Sequence, residues 1–110
     1  MLERSIELAS NEFVSKIKES AIYKEYQEKL QKLKEYPDCY QKVNEFRQRN
    51  YEMQNATQVD DLFEKMDAFE QEYEKFRENP LVEEFLQAEL AFCRMMQEVD
   101  IAIMEKLDFE

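Results

Sequence analysis

Residues Asn79–Asp100, NPLVEEFLQAELAFCRMMQEVD, decide the fold class. Asn79 suits an N-cap, where its side-chain oxygen accepts a free backbone N–H. Pro80 suits the first helical turn, where a missing N–H costs nothing. No breaker follows, so this helix is expected to run to about Leu107, roughly 40 Å at 1.5 Å per residue. Two apolar lines run along it. Phe85, Phe92, Val99 and Ala102 form one; Val82, Leu86, Cys93, Met96 and Ile103 form its neighbour, widened by Leu90, Met95 and Met104. A helix apolar over so much of its circumference needs partners on more than one side. In so short a chain some of those partners are expected from another subunit. The residues assigned to that contact are Phe85, Leu86, Phe92, Cys93, Met96, Val99 and Ile103.

The rest of the composition agrees with an all-α fold. The chain has 110 residues, no Gly, and Pro only at Pro37 and Pro80. Hairpin turns and phosphate-cradling loops lean on Gly for backbone angles that other residues resist. The abundant residues are good helix formers. We expect a single domain over residues 1–110, a bundle of four or five helices with a long C-terminal helix.

Upstream, Leu2, Ile6, Ala9, Phe13 and Ile17 step by three or four, one helical face. Ser20 is a candidate N-cap, followed by Tyr23, Tyr26, Leu30 and Leu33 at the same spacing. Residues 2–36 are therefore one bent helix or two. Pro37 marks the next start, since it pushes Tyr36 out of the helical region. Tyr40, Val43 and Phe46 follow. Thr57–Asp60 has the spacing of a capping box, and Val59, Leu62, Phe63, Met66, Phe69, Tyr73 and Phe76 form the cleanest amphipathic stripe. Phe63, Phe69 and Phe76 are expected in the core.

The formal net charge is −11 and is uneven. Residues 1–55 hold ten Lys/Arg and ten Asp/Glu, and residues 56–110 hold five and sixteen. Nucleic-acid binding needs a basic face to replace counterions on phosphates. Lys16, Lys18, Lys24, Lys29, Lys32 and Lys34 have acidic neighbours and read as a mixed-charge face. Direct RNA or DNA binding is not expected. Nothing resembles an export signal, and no segment approaches a membrane-spanning length, so a cytoplasmic location is expected. Asn55-Ala56-Thr57 matches a glycosylation acceptor but reads as a turn.

Chemistry is thinly supplied. Without His there is no Ser/His/Asp or Cys/His nucleophile, and most zinc and di-iron ligand sets are gone. Asp60, Asp61, Glu64, Asp67, Glu70, Glu72, Glu74 and Glu78 could hold a divalent cation, but read better as a solvated acidic face. That run is the basis of the rival function, a carboxylate-dependent metal protein or enzyme. A coiled-coil spacer is weakened by Pro37 and Pro80, which cut the chain into lengths suited to a bundle. Glu83 and Glu84 suit the positive end of a helix dipole. Cys39 and Cys93 form no CxxC pair and read as free thiols. No catalytic, cofactor or metal residue is assigned.

ESAIYKEYQ (Glu19–Gln27), the Pro37-Asp38 helix start, VNEFR (Val43–Arg47), NPLVEEFLQAE (Asn79–Glu89) and QEVD (Gln97–Asp100) together resemble the YlbF/YmcA family. The resemblance spans nearly the whole chain, through the order and spacing of caps and core positions. It implies a small, all-helical, cytoplasmic bacterial protein that associates with itself or with relatives. It further implies a regulator of competence, sporulation and biofilm formation, not an enzyme, acting in a complex linked to the endoribonuclease RNase Y. Some members bind iron–sulfur clusters with help from cysteines in a C-terminal extension. This chain reads to Glu110 without that tail, and Cys39 and Cys93 match no such set, so no cluster is expected. The missing tail leaves two branches open, the RNase Y-linked one and one resembling YheA.

Overall fold

Five helices, and no strand among the described residues, make up the computed structural model, which describes residues 1–55 and 62–108. They are α1 Arg4–Glu19, α2 Ala21–Lys34, α3 Pro37–Gln54, α4 Leu62–Arg77 and α5 Pro80–Leu107. The fold is an all-α bundle with a long C-terminal helix, as expected. The Thr57–Asp60 capping box and Val59 lie outside the described residues.

Local chemistry sets the breaks. Ser20 has extended backbone angles and closes α1 through its N–H to the Ile17 carbonyl. Its hydroxyl donates to the same carbonyl at 2.6 Å and accepts the Tyr23 N–H at 3.2 Å, so one residue ends α1 and caps α2. Residues 2–36 thus form two helices. Pro37 occupies the first turn of α3, with Tyr36 outside the helical region. Asn79 Oδ1 accepts the Leu81 N–H at 3.0 Å, and its carbonyl accepts the Glu83 N–H at 3.0 Å, starting α5 at Pro80. Asp108, with φ 55°, ends α5 in the left-handed region, which Asp tolerates better than most residues.

The chain divides into two compact units. Lys29–Leu86 is one, and it holds the fully buried Leu33, Val82 and Phe85. Val43, Phe46 and Phe69 are buried there too. The Phe46 ring lies 5.1 Å from Phe76, 5.4 Å from Phe69 and 5.7 Å from Tyr73, so α3 and α4 meet through aromatic side chains. Cations cover the rim of this cluster. Arg49 sits over Phe46 and Phe69, Lys42 over Phe76, Arg77 over Tyr73 and Arg47 over Phe85, all 5.3–5.6 Å from the ring centroids. Each such contact adds about 0.5–1 kcal/mol at an exposed site. One expectation fails here: Phe63 is 73% exposed. It stands roughly a third of a turn around α4 from Phe69, off the side that meets Phe46.

Met1–Glu28 with Gln87–Glu110 is the other unit, and it has far less core. Ala88 is its only buried residue among those described. Phe92 of α5 is half-buried, stacked on Tyr26 at 5.1 Å and tilted against Tyr23 at 5.5 Å. α1 has no buried residue at all.

Candidate interaction surface

The two apolar lines of α5 have different fates. The Phe85 line faces its own chain. Phe85 is buried within Lys29–Leu86, Phe92 packs on Tyr23 and Tyr26, and Val99 and Ala102 are half-buried. Phe85 is therefore a core residue of one chain and is not available to a partner. The other line is open. In the unit that holds Gln87–Glu110, Cys93 and Ile103 are exposed and Met96 is half-buried. Leu86, also half-buried, belongs to Lys29–Leu86.

Met104 and Leu107, both exposed, extend the open line. Cys93, Met96, Asp100, Ile103 and Leu107 step by three and four, one stripe on a helix. Leu107, at 66% exposure, was missed by sequence reasoning because its line was followed only to Ile103. The step of four from Ile103 would have found it. Asp100 is the one charge within the stripe, and Glu105 and Asp108 border its end.

Ion pairs tie the elements of Lys29–Leu86. Arg77 grips Glu83 with two bonds, Nε to Oε2 at 2.7 Å and an Nη2 bond to Oε1 at 2.9 Å, across the α4–α5 turn. This geometry is the stronger kind of charged hydrogen bond, and it raises the Arg77 pKa through the hydrogen bond to Glu83. Arg49 meets Glu72 at 2.6 Å, and that hydrogen bond holds the Glu72 carboxyl below its ordinary range. Lys29 reaches Glu84 at 3.2 Å. Three members of the lysine series are thus engaged on the protein itself: Lys29 by Glu84, Lys16 by Glu19 and Lys34 over Tyr40.

Two open depressions lie on the described surface. An open depression of about 400 Å³ is lined by Lys42, Phe46, Glu72, Lys75, Phe76 and Asn79, without a nucleophile beside a base. A second, of about 450 Å³, lies along the end of α5 at Asp100, Ile101, Met104, Glu105 and Asp108. Among the described residues, no three or more Cys, Asp or Glu gather where they could hold a metal ion. Nor is any helix there long and apolar enough to cross a membrane. Cys39 is half-buried beside Asn79, whose Nδ2 donates to its sulfur at 3.7 Å; Cys93 is exposed. Both thiols are free. What the surface offers is an apolar helical stripe edged with acid, a feature suited to docking another helix.

No curated protein and no solved structure matches the chain. A family model described as control of competence regulator ComK, YlbF/YmcA, does match, over residues 6–108. That match covers nearly all of the chain, and the protein belongs to the YlbF/YmcA family, a family of regulators.

Proposed function

We propose that this protein is a non-enzymatic cytoplasmic regulator that works by protein–protein contact, as a homo-oligomer and as one functional domain over residues 1–110. The open stripe of α5 carries the proposal: Cys93, Ile103, Met104 and Leu107 lie exposed, with Met96 half-buried among them, on a helix that carries two apolar lines. Leaving such a patch in water is unfavourable, and burying it against protein recovers roughly 25 cal/mol per Å² before association costs. Asp100, Glu105 and Asp108 beside it favour partners with basic edges and repel nucleic acid. No metal, cofactor, membrane or direct nucleic-acid contact enters this mechanism. Family membership supports a role in controlling competence, sporulation or biofilm formation, through relatives in an RNase Y-linked complex.

The test is capture from the native host of tagged wild type and of Ile103→Glu/Leu107→Glu. The proposal expects wild type to retain an untagged second copy and relatives or RNase Y-linked proteins, and the variant to lose them. Equal recovery by both proteins would refute the α5 stripe as the contact.

A further inference from the structure

We infer that α1 is the second half of the self-association surface, lies against α5 of a second copy of this chain, and owes its helical order to that contact. This rests on the self-association reading above and adds an element that reading does not name.

The reason is that α1 has no cover of its own. Ile6, Ala9 and Phe13 form its stripe, Leu2 lies just before it, and all four are exposed; within α1 only Ser10 and Ile17 are half-buried. A surface helix normally keeps such a stripe against a core, and its stability comes from that packing. Ser20 closes the C-terminal end of α1, and Glu7 and Lys16 with Lys18 suit the helix dipole, but these are small local terms. Its N-cap, Glu3, makes no side-chain cap bond. Ser10 and Ser15 bond back to the Ile6 and Asn11 carbonyls, at 2.7 and 3.1 Å, a habit that slightly weakens helices. Its Lys16–Glu19 pair spans 3.9 Å in full solvent. A helix of 16 residues without packing is marginal in water.

Two features name a second copy as the cover. The first is charge. Arg4, Lys16 and Lys18 balance Glu7, Glu12 and Glu19 in α1, while Glu98, Asp100, Glu105 and Asp108 face only Lys106 at the end of α5. Pairing α5 with α5 sets acid on acid; pairing α1 with α5 of the other copy does not. A two-fold axis makes that contact twice, α1 on the partner's α5 and the reverse. The second is area. Leu2, Ile6, Phe13, Ile103, Met104 and Leu107 are each about half exposed or more. With Ala9, Cys93 and Met96 they leave on the order of 700–900 Å² uncovered per chain, close to what each partner in a standard interface buries.

Two double variants, Ile6→Glu/Phe13→Glu in α1 and Ile103→Glu/Leu107→Glu in α5, test this by sedimentation and hydrogen exchange. Both should weaken self-association, by roughly a hundredfold if each stripe is central. In the α5 variant, the unaltered α1 should lose its amide protection and about a sixth of the helical signal should go, the share of α1 in the five helices. If the α5 variant dissociates while the α1 variant still assembles as wild type does, the role of α1 is wrong and the α5 reading stands. If α1 stays protected in the dissociated α5 variant, its order does not depend on the contact. A wild type that is monomeric at high micromolar concentration overturns both.

Discussion

Phe46 is the residue whose truncation should cost most. Its ring is 4% exposed and lies within 5.1–5.7 Å of Phe69, Tyr73 and Phe76, with the Arg49 guanidinium 5.4 Å from its centroid. Phe46→Ala removes the ring that joins α3 to three of the four aromatic residues of α4. Phe→Ala in a core costs about 3–5 kcal/mol, and the ring contacts place this site near the top of that range. Domains of this size hold roughly 5–15 kcal/mol in all, so the variant should be largely unfolded at modest denaturant. Phe46→Leu keeps much of the volume and should lose about 1–2 kcal/mol. Urea unfolding followed by circular dichroism measures both, at one fixed protomer concentration because assembly shifts apparent stability. A loss below about 1 kcal/mol for Phe46→Ala would refute the view that this cluster holds the unit together.

Other outcomes follow from the same structure. Phe63→Ser should change stability by no more than about 0.5 kcal/mol, since most of that ring is already in water; clear destabilisation in the same urea series would return Phe63 to the core. Asn79→Ala should cost about 1 kcal/mol through the lost cap of α5, and Asn79→Asp should restore most of it; equal stability of all three proteins would show the cap to be idle. The Arg49 hydrogen bond lowers the Glu72 pKa, so the pair stabilises the folded state at neutral pH, and that contribution disappears as pH falls through the lowered value. Glu72→Gln should therefore melt below wild type at neutral pH and approach it in acid. A gap that does not change with pH contradicts the linkage.

Much of the fold was legible because its signals are local. Ser20, Pro37 and the Asn79-Pro80 pair set helix boundaries through groups one to four residues away, and the unbroken run of α5 from Pro80 follows from the absence of an internal Gly or Pro. Which apolar line of α5 would face home was not legible. Tyr23 and Tyr26 settle it for Phe92, and they lie more than sixty residues earlier in the chain. Periodicity shows that a helix has an apolar face, not which neighbour covers it. Phe63 misled for a similar reason, because the stripe of α4 is wider than the side that meets Phe46. The cationic rim was within reach, since Phe46–Arg49 and Tyr73–Arg77 are one helical turn apart.

Sedimentation equilibrium of wild type beside Ile103→Glu/Leu107→Glu decides whether the open line of α5 binds another copy of this chain, because both residues are exposed in the single chain and neither belongs to the Phe46 cluster. Wild type should self-associate, and the variant should sediment as a monomer with its Phe46 cluster still folded. A wild type that sediments as a monomer, or a variant that associates as tightly as wild type, would contradict that binding.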